Sequence, residues 1–77
     1  MIAAYILIQA EAGKAAIVAA ALRDVPGVSE TAGLAGPYDV IARAQAQDID
    51  ELAKLVALRV QALDGVTRTM SCPVVHL

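Results

Sequence analysis

Apolar residues recur along the chain with two periods, and the switches between them mark the elements. Ile2 to Gln9 reads Ile-Ala-Ala-Tyr-Ile-Leu-Ile-Gln, apolar at odd and even positions alike. A strand of that kind is covered on both faces and sits inside a sheet. After Glu11-Ala12-Gly13 the spacing becomes helical. Ile17, Val18, Ala21, Leu22 and Val25 form one stripe of a helix over 14–24, which Pro26-Gly27 stops. Val28 to Leu34 is a more polar strand broken by Gly33, as suits a sheet edge. Gly36-Pro37 turns the chain. Asp39 to Gln45 is a second strand apolar on both faces, apart from Arg43. Asp48 with Glu51 three residues on has the spacing of a capping box, which starts a helix reaching Leu63. Its inner stripe is Ile49, Leu52, Ala53, Val56, Val60 and Leu63. A second stripe of Leu55, Leu58 and Ala62 predicts a contact beyond the domain's own sheet. Val66 to Val75 is the last strand, and Pro73 within it predicts an edge or a bulge.

The chain also repeats itself. Leu22-Arg-Asp-Val-Pro-Gly-Val-Ser-Glu-Thr31 is echoed by Val60-Gln-Ala-Leu-Asp-Gly-Val-Thr-Arg-Thr69, with Gly27 and Gly65 lying 38 residues apart. In both copies a helix runs into a Gly turn and Val opens a strand. The element order is that of an α+β, ferredoxin-like βαββαβ split sandwich in one domain, 1–77. Right-handed crossovers put two helices on one face of a four-stranded antiparallel sheet, with the first and third strands central. The other face is then open, yet whichever way those strands are turned its residues are Ile, Leu, Val, Ala and Tyr. That predicts a homodimer through the sheet faces, closing a dimeric α+β barrel.

Composition strengthens the case for partners of the same kind. Apolar residues make up 58% of the chain and the mean hydropathy is +0.62, yet 17 of 77 residues are Ala and Tyr5 and Tyr38 are the only aromatics. A core of such small parts cannot absorb that much apolar surface in one short chain. The net charge is −2, and the six Lys and Arg are dispersed. Without a basic stripe, direct contact with nucleic acid is not expected. No apolar run is long enough for a membrane span. Met1 to Ala10 has no basic flank, so it reads as a strand and not as a signal peptide. One cysteine allows no internal disulfide and fits a reducing, cytoplasmic setting.

Candidate chemistry is sparse. Gly36-Pro37-Tyr38-Asp39 places an aromatic and a carboxylate at the mouth of a central strand. Asp39 could accept from a ligand ammonium group with Tyr38 as a wall, or the segment is a plain turn in which Asp39 caps a strand end. Thr67, Thr69 and Ser71 alternate on one face of the last strand and could bind a carboxylate, or they are ordinary edge-strand residues. Arg68 points the other way, solvated or paired with an acidic neighbour. Cys72 has no activating partner and is expected to be a buried, inert thiol. His76 is an exposed end residue. One Cys and one His cannot complete a metal site, and no Gly-rich phosphate loop is present, so no metal or cofactor is expected.

Tyr5-Ile-Leu-Ile8, Val25-Pro-Gly-Val28, Gly36-Pro-Tyr-Asp-Val40, Ile49-Asp-Glu-Leu52, Leu63-Asp-Gly-Val66 and Arg68-Thr69 occur in an order and spacing that covers essentially the whole chain. In this it resembles the effector-binding domain of the Lrp/AsnC (feast-or-famine) transcription regulators, also called the domain for regulation of amino-acid metabolism. The resemblance implies dimers through the sheets, assembly of dimers into rings, and amino-acid effectors held in crevices between dimers. Carried over by motif, Gly36, Tyr38 and Asp39 would line that crevice, with Thr69, Met70, Ser71 and Cys72 as a second contribution. The regulators carry an N-terminal helix-turn-helix domain, whereas here a strand follows Met1 directly. The chain therefore resembles the stand-alone version of the domain.

The reading that follows is a non-enzymatic amino-acid-binding and oligomerisation module, a sensor in its own right or one that joins full-length Lrp/AsnC regulators. Three rivals share parts of the pattern. An amino-acid-binding domain of the aspartate kinase–chorismate mutase type has the same strand order but pairs sheets side by side, which two-sided apolar strands disfavour. A cofactor-free dimeric α+β-barrel monooxygenase or isomerase needs an enclosed cavity and an acid or base, and this chain has no Trp, Phe or Asn and a single His at its end. A purely structural assembler would share every feature except the ligand.

Overall fold

In the computed structural model, which describes residues 1–77, one four-stranded antiparallel sheet forms from β1 (Ile2–Ala10), β2 (Val28–Gly33), β3 (Val40–Ala46) and β4 (Val66–Pro73). The strands lie in the order β2-β3-β1-β4. Between them run α1 (Ala15–Arg23) and α2 (Ile49–Leu55), the latter continuing as a π turn, Val56–Val60. This is the ferredoxin-like βαββαβ arrangement, with β1 and β3 in the middle as their two-sided apolarity requires.

Strand alternation divides the sheet cleanly. Ala4, Ile6 and Ile8 of β1 and Val40, Ala42, Ala44 and Ala46 of β3 are buried. They share one core with Val18, Ala19 and Leu22 of α1 and with Leu52, Val56 and Val60 of α2 and its π turn. Small Ala side chains along β3 let the helices approach closely, and Val and Leu fill the space between. The other face carries Ala32, Ile41, Leu7 and Met70 side by side across all four strands. In the next row are Glu30, Arg43, Tyr5 and Cys72. Nothing covers this second face. The molecule spans 34 × 26 × 17 Å, and 17 Å is one sheet plus one helix layer. Its accessible surface of 4831 Å² exceeds the roughly 4,400 Å² that size scaling gives for a self-contained monomer of this mass.

Several boundaries and stripes differ from the sequence reading. In α1 the inner residues are Val18, Ala19 and Leu22, with Val25 just beyond, whereas Ile17 is 60% exposed. The helix spans only Ala15–Arg23, so a narrow stripe suffices and Ile17 falls to its flank. Leu52, Val56 and Val60 are inward as expected, but Ile49 is 56% exposed and Ala53 is also outside. The regular helix expected to reach Leu63 gives way to the π turn, in which the Gln61 N–H donates to the Val56 carbonyl at 2.8 Å. That i→i+5 bond takes up an extra residue before the Asp64-Gly65 stop. Asp48 caps the helix, its Oδ1 accepting from the Glu51 N–H at 2.8 Å, but the Glu51 side chain makes no return bond to the Asp48 N–H, so the expected capping box is half formed. Pro73 lies on an edge strand, opposite Ala4. The Val74 N–H donates inward to Ala3, so the proline nitrogen points outward, where no donor is needed. The irregularity in β4 lies at its other end, where Gln9 pairs with Arg68 but Ala10 with Val66, leaving Thr67 as a bulge.

The two glycine turns of the repeat are equivalent in kind. Gly27 and Gly65 have φ of +98° and +95°. The Gly27 carbonyl accepts from the Gln45 N–H and the Gly65 carbonyl from the Glu11 N–H, each at 2.8 Å. Each turn thereby ties a helix end back to the end of a central strand.

Candidate functional site

At one end of the sheet three pieces of chain meet: the end of β1, the bulged start of β4, and the connection from β2 to β3. The connection is anchored from both sides. The Leu34 N–H donates to the Asp39 carbonyl at 2.8 Å, and the Asp39 N–H donates to the Ile8 carbonyl at 2.9 Å. The Gln9 amide Nε2 donates to the Pro37 carbonyl at 2.8 Å. These bonds hold Gly36-Pro37-Tyr38 over the rim of the open face.

Asp39 is half-buried, and its Oδ2 accepts the Ala10 N–H at 2.8 Å. That bond satisfies the last backbone donor of β1, so one carboxylate oxygen has the capping role considered above. The other oxygen makes no hydrogen bond within the chain. Tyr38 reaches across to β4, where its hydroxyl lies 4.0 Å from the Met70 sulfur. The fold thus joins the two sequence segments that the resemblance singles out. Gly36 is exposed, with open space around it.

The four β4 candidates do not converge. Met70 and Cys72 lie opposite Leu7 and Tyr5 on the open face, while Thr69 and Ser71 lie opposite Ile8 and Ile6 on the helix side. The Thr69 hydroxyl accepts from the Gln61 Nε2 at 3.0 Å. Ser71 borders an apolar groove of about 330 Å³ beside Leu52, Val56 and Pro73. Thr67, expected to share a face with Thr69, bulges instead, and its hydroxyl donates to the Gln9 carbonyl at 3.2 Å. Cys72 is exposed, contrary to the expectation of a buried thiol. On an edge strand facing an uncovered sheet surface, an outward-alternating residue has nothing to bury it. Arg68 also points to that face and pairs with no carboxylate; the chain's ion pairs are both made by Lys14.

A groove of about 360 Å³ runs along the free edge of β4, lined by Gln61, Val66, Thr67, Arg68 and Thr69. Sequence reading did not single out Gln61 or Arg68 for it. The signal for Gln61 was present: it is the one polar residue between Val60 and Leu63, directly after the π turn. A separate cleft of about 340 Å³ between Pro26-Gly27 and Lys54–Arg59 contains none of the candidate residues. No three His, Cys, Asp or Glu side chains are grouped so as to hold a metal ion. No helix is long and apolar enough to cross a membrane.

Lys14 marks the neighbouring corner. Its Nζ lies 3.2 Å from Glu11 and 3.5 Å from Asp64. The hydrogen bond to Glu11, followed by the charge of Asp64, holds the ammonium group above its ordinary value of 10.5. The pair closes the junction between the end of β1 and the Gly65 turn, and it is structural in character.

Residues 3–76 match the family described as the Lrp/AsnC ligand binding domain. No curated protein matches the sequence. Among solved structures, TTHA0845 from Thermus thermophilus is 30% identical with a TM-score of 0.92, over 100% of this chain and 96% of that one. A transcriptional regulator of Neisseria meningitidis, NMB0573, solved in complex with L-Met, is 25% identical with a TM-score of 0.86. The match takes in 97% of this chain and 50% of the regulator. E. coli AsnC shares the fold at 21% identity and a TM-score of 0.90, over 99% of this chain and 52% of AsnC. The chain therefore spans about half the length of these two regulators and nearly all of the Thermus protein.

Proposed function

Since this chain belongs to the Lrp/AsnC ligand-binding domain family, we propose that it is a non-enzymatic regulatory module that binds an amino acid at a seam between copies of itself. The observation that carries the reading is the meeting of Tyr38 and Met70, 4.0 Å apart at the rim of an uncovered apolar sheet face. Gly36, Tyr38 and Asp39 meet the Met70 and Cys72 side of β4 there, and within one chain they form only an open surface. A second and a third copy complete it: one covers the sheet face to make the dimer, and a neighbouring dimer closes the crevice. The complex of the Neisseria relative with L-Met supports an amino acid as the ligand class.

The mechanism is linkage. A ligand held between dimers stabilises the assembly that contains the closed crevice, in proportion to its preference for that state. The free oxygen of Asp39 takes the ligand ammonium group. Tyr38 packs on its side chain, and Met70 and Cys72 with Gly36 complete the wall on the open-face side, while Thr69 and Ser71, on the other face of β4, serve a crevice formed with a neighbouring copy. Mixed assembly with full-length regulators follows by the same interfaces.

Calorimetric titration with the twenty standard amino acids tests this on wild type and Asp39→Asn. The amide keeps an oxygen to accept the Ala10 N–H, so the fold is retained while the charge is lost. At least one amino acid binds wild type, and the variant binds it about tenfold or more weakly, a loss of about 1.4 kcal/mol or more. Absence of binding by every amino acid, or unchanged affinity in the variant, overturns the proposal.

A further inference from the structure

We propose that Glu30 of one copy pairs with Arg43 of a second copy when two open sheet faces meet, so that these charges decide which chains can dimerise. The inference rests on the sheet-face dimer proposed above and specifies what holds it in register. Glu30 on β2 lies directly opposite Arg43 on β3, and Arg43 directly opposite Tyr5 on β1. All three belong to the uncovered face. Arg43 is half-buried even in the single chain. Neither Glu30 nor Arg43 has an ion-pair partner within the chain, where both ion pairs belong to Lys14.

The surroundings make that lack of a partner consequential. The adjacent row is wholly apolar: Ala32, Ile41, Leu7 and Met70. A hollow of about 80 Å³ lies among Tyr5, Glu30, Ala32, Ile41 and Arg43, on the scale of one side chain from a facing surface. The broad side of the molecule measures 34 × 26 Å, comparable with the about 800 Å² per partner that a stable dimer buries. Covering it removes water from Arg43, and a guanidinium so enclosed requires an anion. Two-fold pairing of a face with itself repeats every contact, so the face must supply both signs. Of the other charged groups near this face, Arg68 has the wrong sign, and Asp39 stands at the rim, four residues along the chain from Arg43, with one oxygen held by the Ala10 N–H. Glu30 is the carboxylate in the same row as Arg43, directly opposite it, and the two-fold makes the pair twice.

The test is the dimer dissociation constant by analytical ultracentrifugation at low salt, for wild type, Glu30→Arg, Arg43→Glu, Leu7→Arg, and an equimolar mixture of the two charge variants. Each charge variant alone places like charges against each other and weakens self-association about tenfold or more. In the mixture one copy is acidic at both positions and the other basic at both, so both pairs re-form and the heterodimer returns to about the wild-type constant. A mixture no tighter than its components, or single variants that dimerise as wild type does, overturns the inference while the sheet-face dimer stands. Leu7→Arg separates the two claims. It abolishes the dimer if the open faces meet, and a dimer that survives it, or a wild type that stays monomeric, overturns the sheet-face reading and this inference with it.

Discussion

At the level of single residues, the glycines separate conformational need from mere punctuation. A Cβ on Gly65 would stand 3.1 Å from the Lys14 side chain and 3.2 Å from Val18 Cγ2, at a φ of +95°. Gly36 has open space around it. Gly65→Ala is therefore expected to destabilise by about 1–3 kcal/mol in urea unfolding, and Gly36→Ala by less than about 0.5 kcal/mol. Equal effects would refute the distinction. The importance of Gly65 was legible in sequence, because the same turn occurs at Gly27 with Val following in both. The exposure of Cys72 was not, because thiols are usually buried and only the strand's place at a sheet edge makes this one accessible. The ion pairs of Lys14 also emerged only from the fold, since Asp64 lies 50 residues away. Their pH dependence has a definite sign. A raised folded-state pKa means the stabilisation is fully present below the ordinary value of 10.5 and is lost as the pH rises through the higher folded value. Thermal melts of wild type and Lys14→Met should thus differ by a constant, small amount from neutral pH to about 9 and converge only above 10.5. Convergence at lower pH would show that the pairs do not form in solution.

Among the elements, strands were easier to read than helices. β1 and β3 announce themselves by being apolar on both faces, and centrality follows because only interior strands have both faces available for cover. Helix stripes were overdrawn, since Ala and Ile at the flanks fit a helical period as well as the true inner residues do. Ile17 and Ile49 illustrate this: each is correctly spaced, yet each is over half exposed. A π turn has no compositional signal in Val56–Val60, and it moved the helix end from Leu63 to Val60. The start of α2, by contrast, was fixed by Asp48. Its Oδ1 satisfies the Glu51 N–H at 2.8 Å, and the regular part of the helix behind it is only seven residues long. So short a helix depends heavily on its cap. Asp48→Ala should cost about 1 kcal/mol in chemical denaturation, and Asp48→Asn or Asp48→Ser should recover most of it. If alanine were as stable as wild type, the cap would be an incidental contact.

For the molecule as a whole, one layer of helices and one sheet leave half the sheet surface without a counterpart. The fully buried side chains are few and small to medium in size: Ile6, Ile8, Leu22, Val18, Val40 and Val60 are the largest of them. A core like that supplies only a few kcal/mol in a chain this short. Exposed apolar side chains remain on the open face at Tyr5 and Met70, on the helices at Ile17, Ile49 and Leu58, and beyond β4 at Val74 and Val75. The sequence showed this excess through its apolar content, and the fold shows which side chains carry it. It did not show how the candidate site is divided, because opposite faces of β4 hold Thr69 with Ser71 and Met70 with Cys72. If the face is covered by a second copy, folding and association are one equilibrium, and stability must depend on protein concentration. For a dimer unfolding to two chains, each tenfold dilution lowers the apparent stability by about 1.4 kcal/mol. Denaturation curves recorded across two decades of concentration should therefore shift steadily to lower denaturant on dilution. A ligand that binds between dimers should reduce that shift at the dilute end, where assembly is most nearly lost. Superimposable curves would mean that one copy is stable with its apolar face in water, and the seam proposed as the binding site would have no partner to form it.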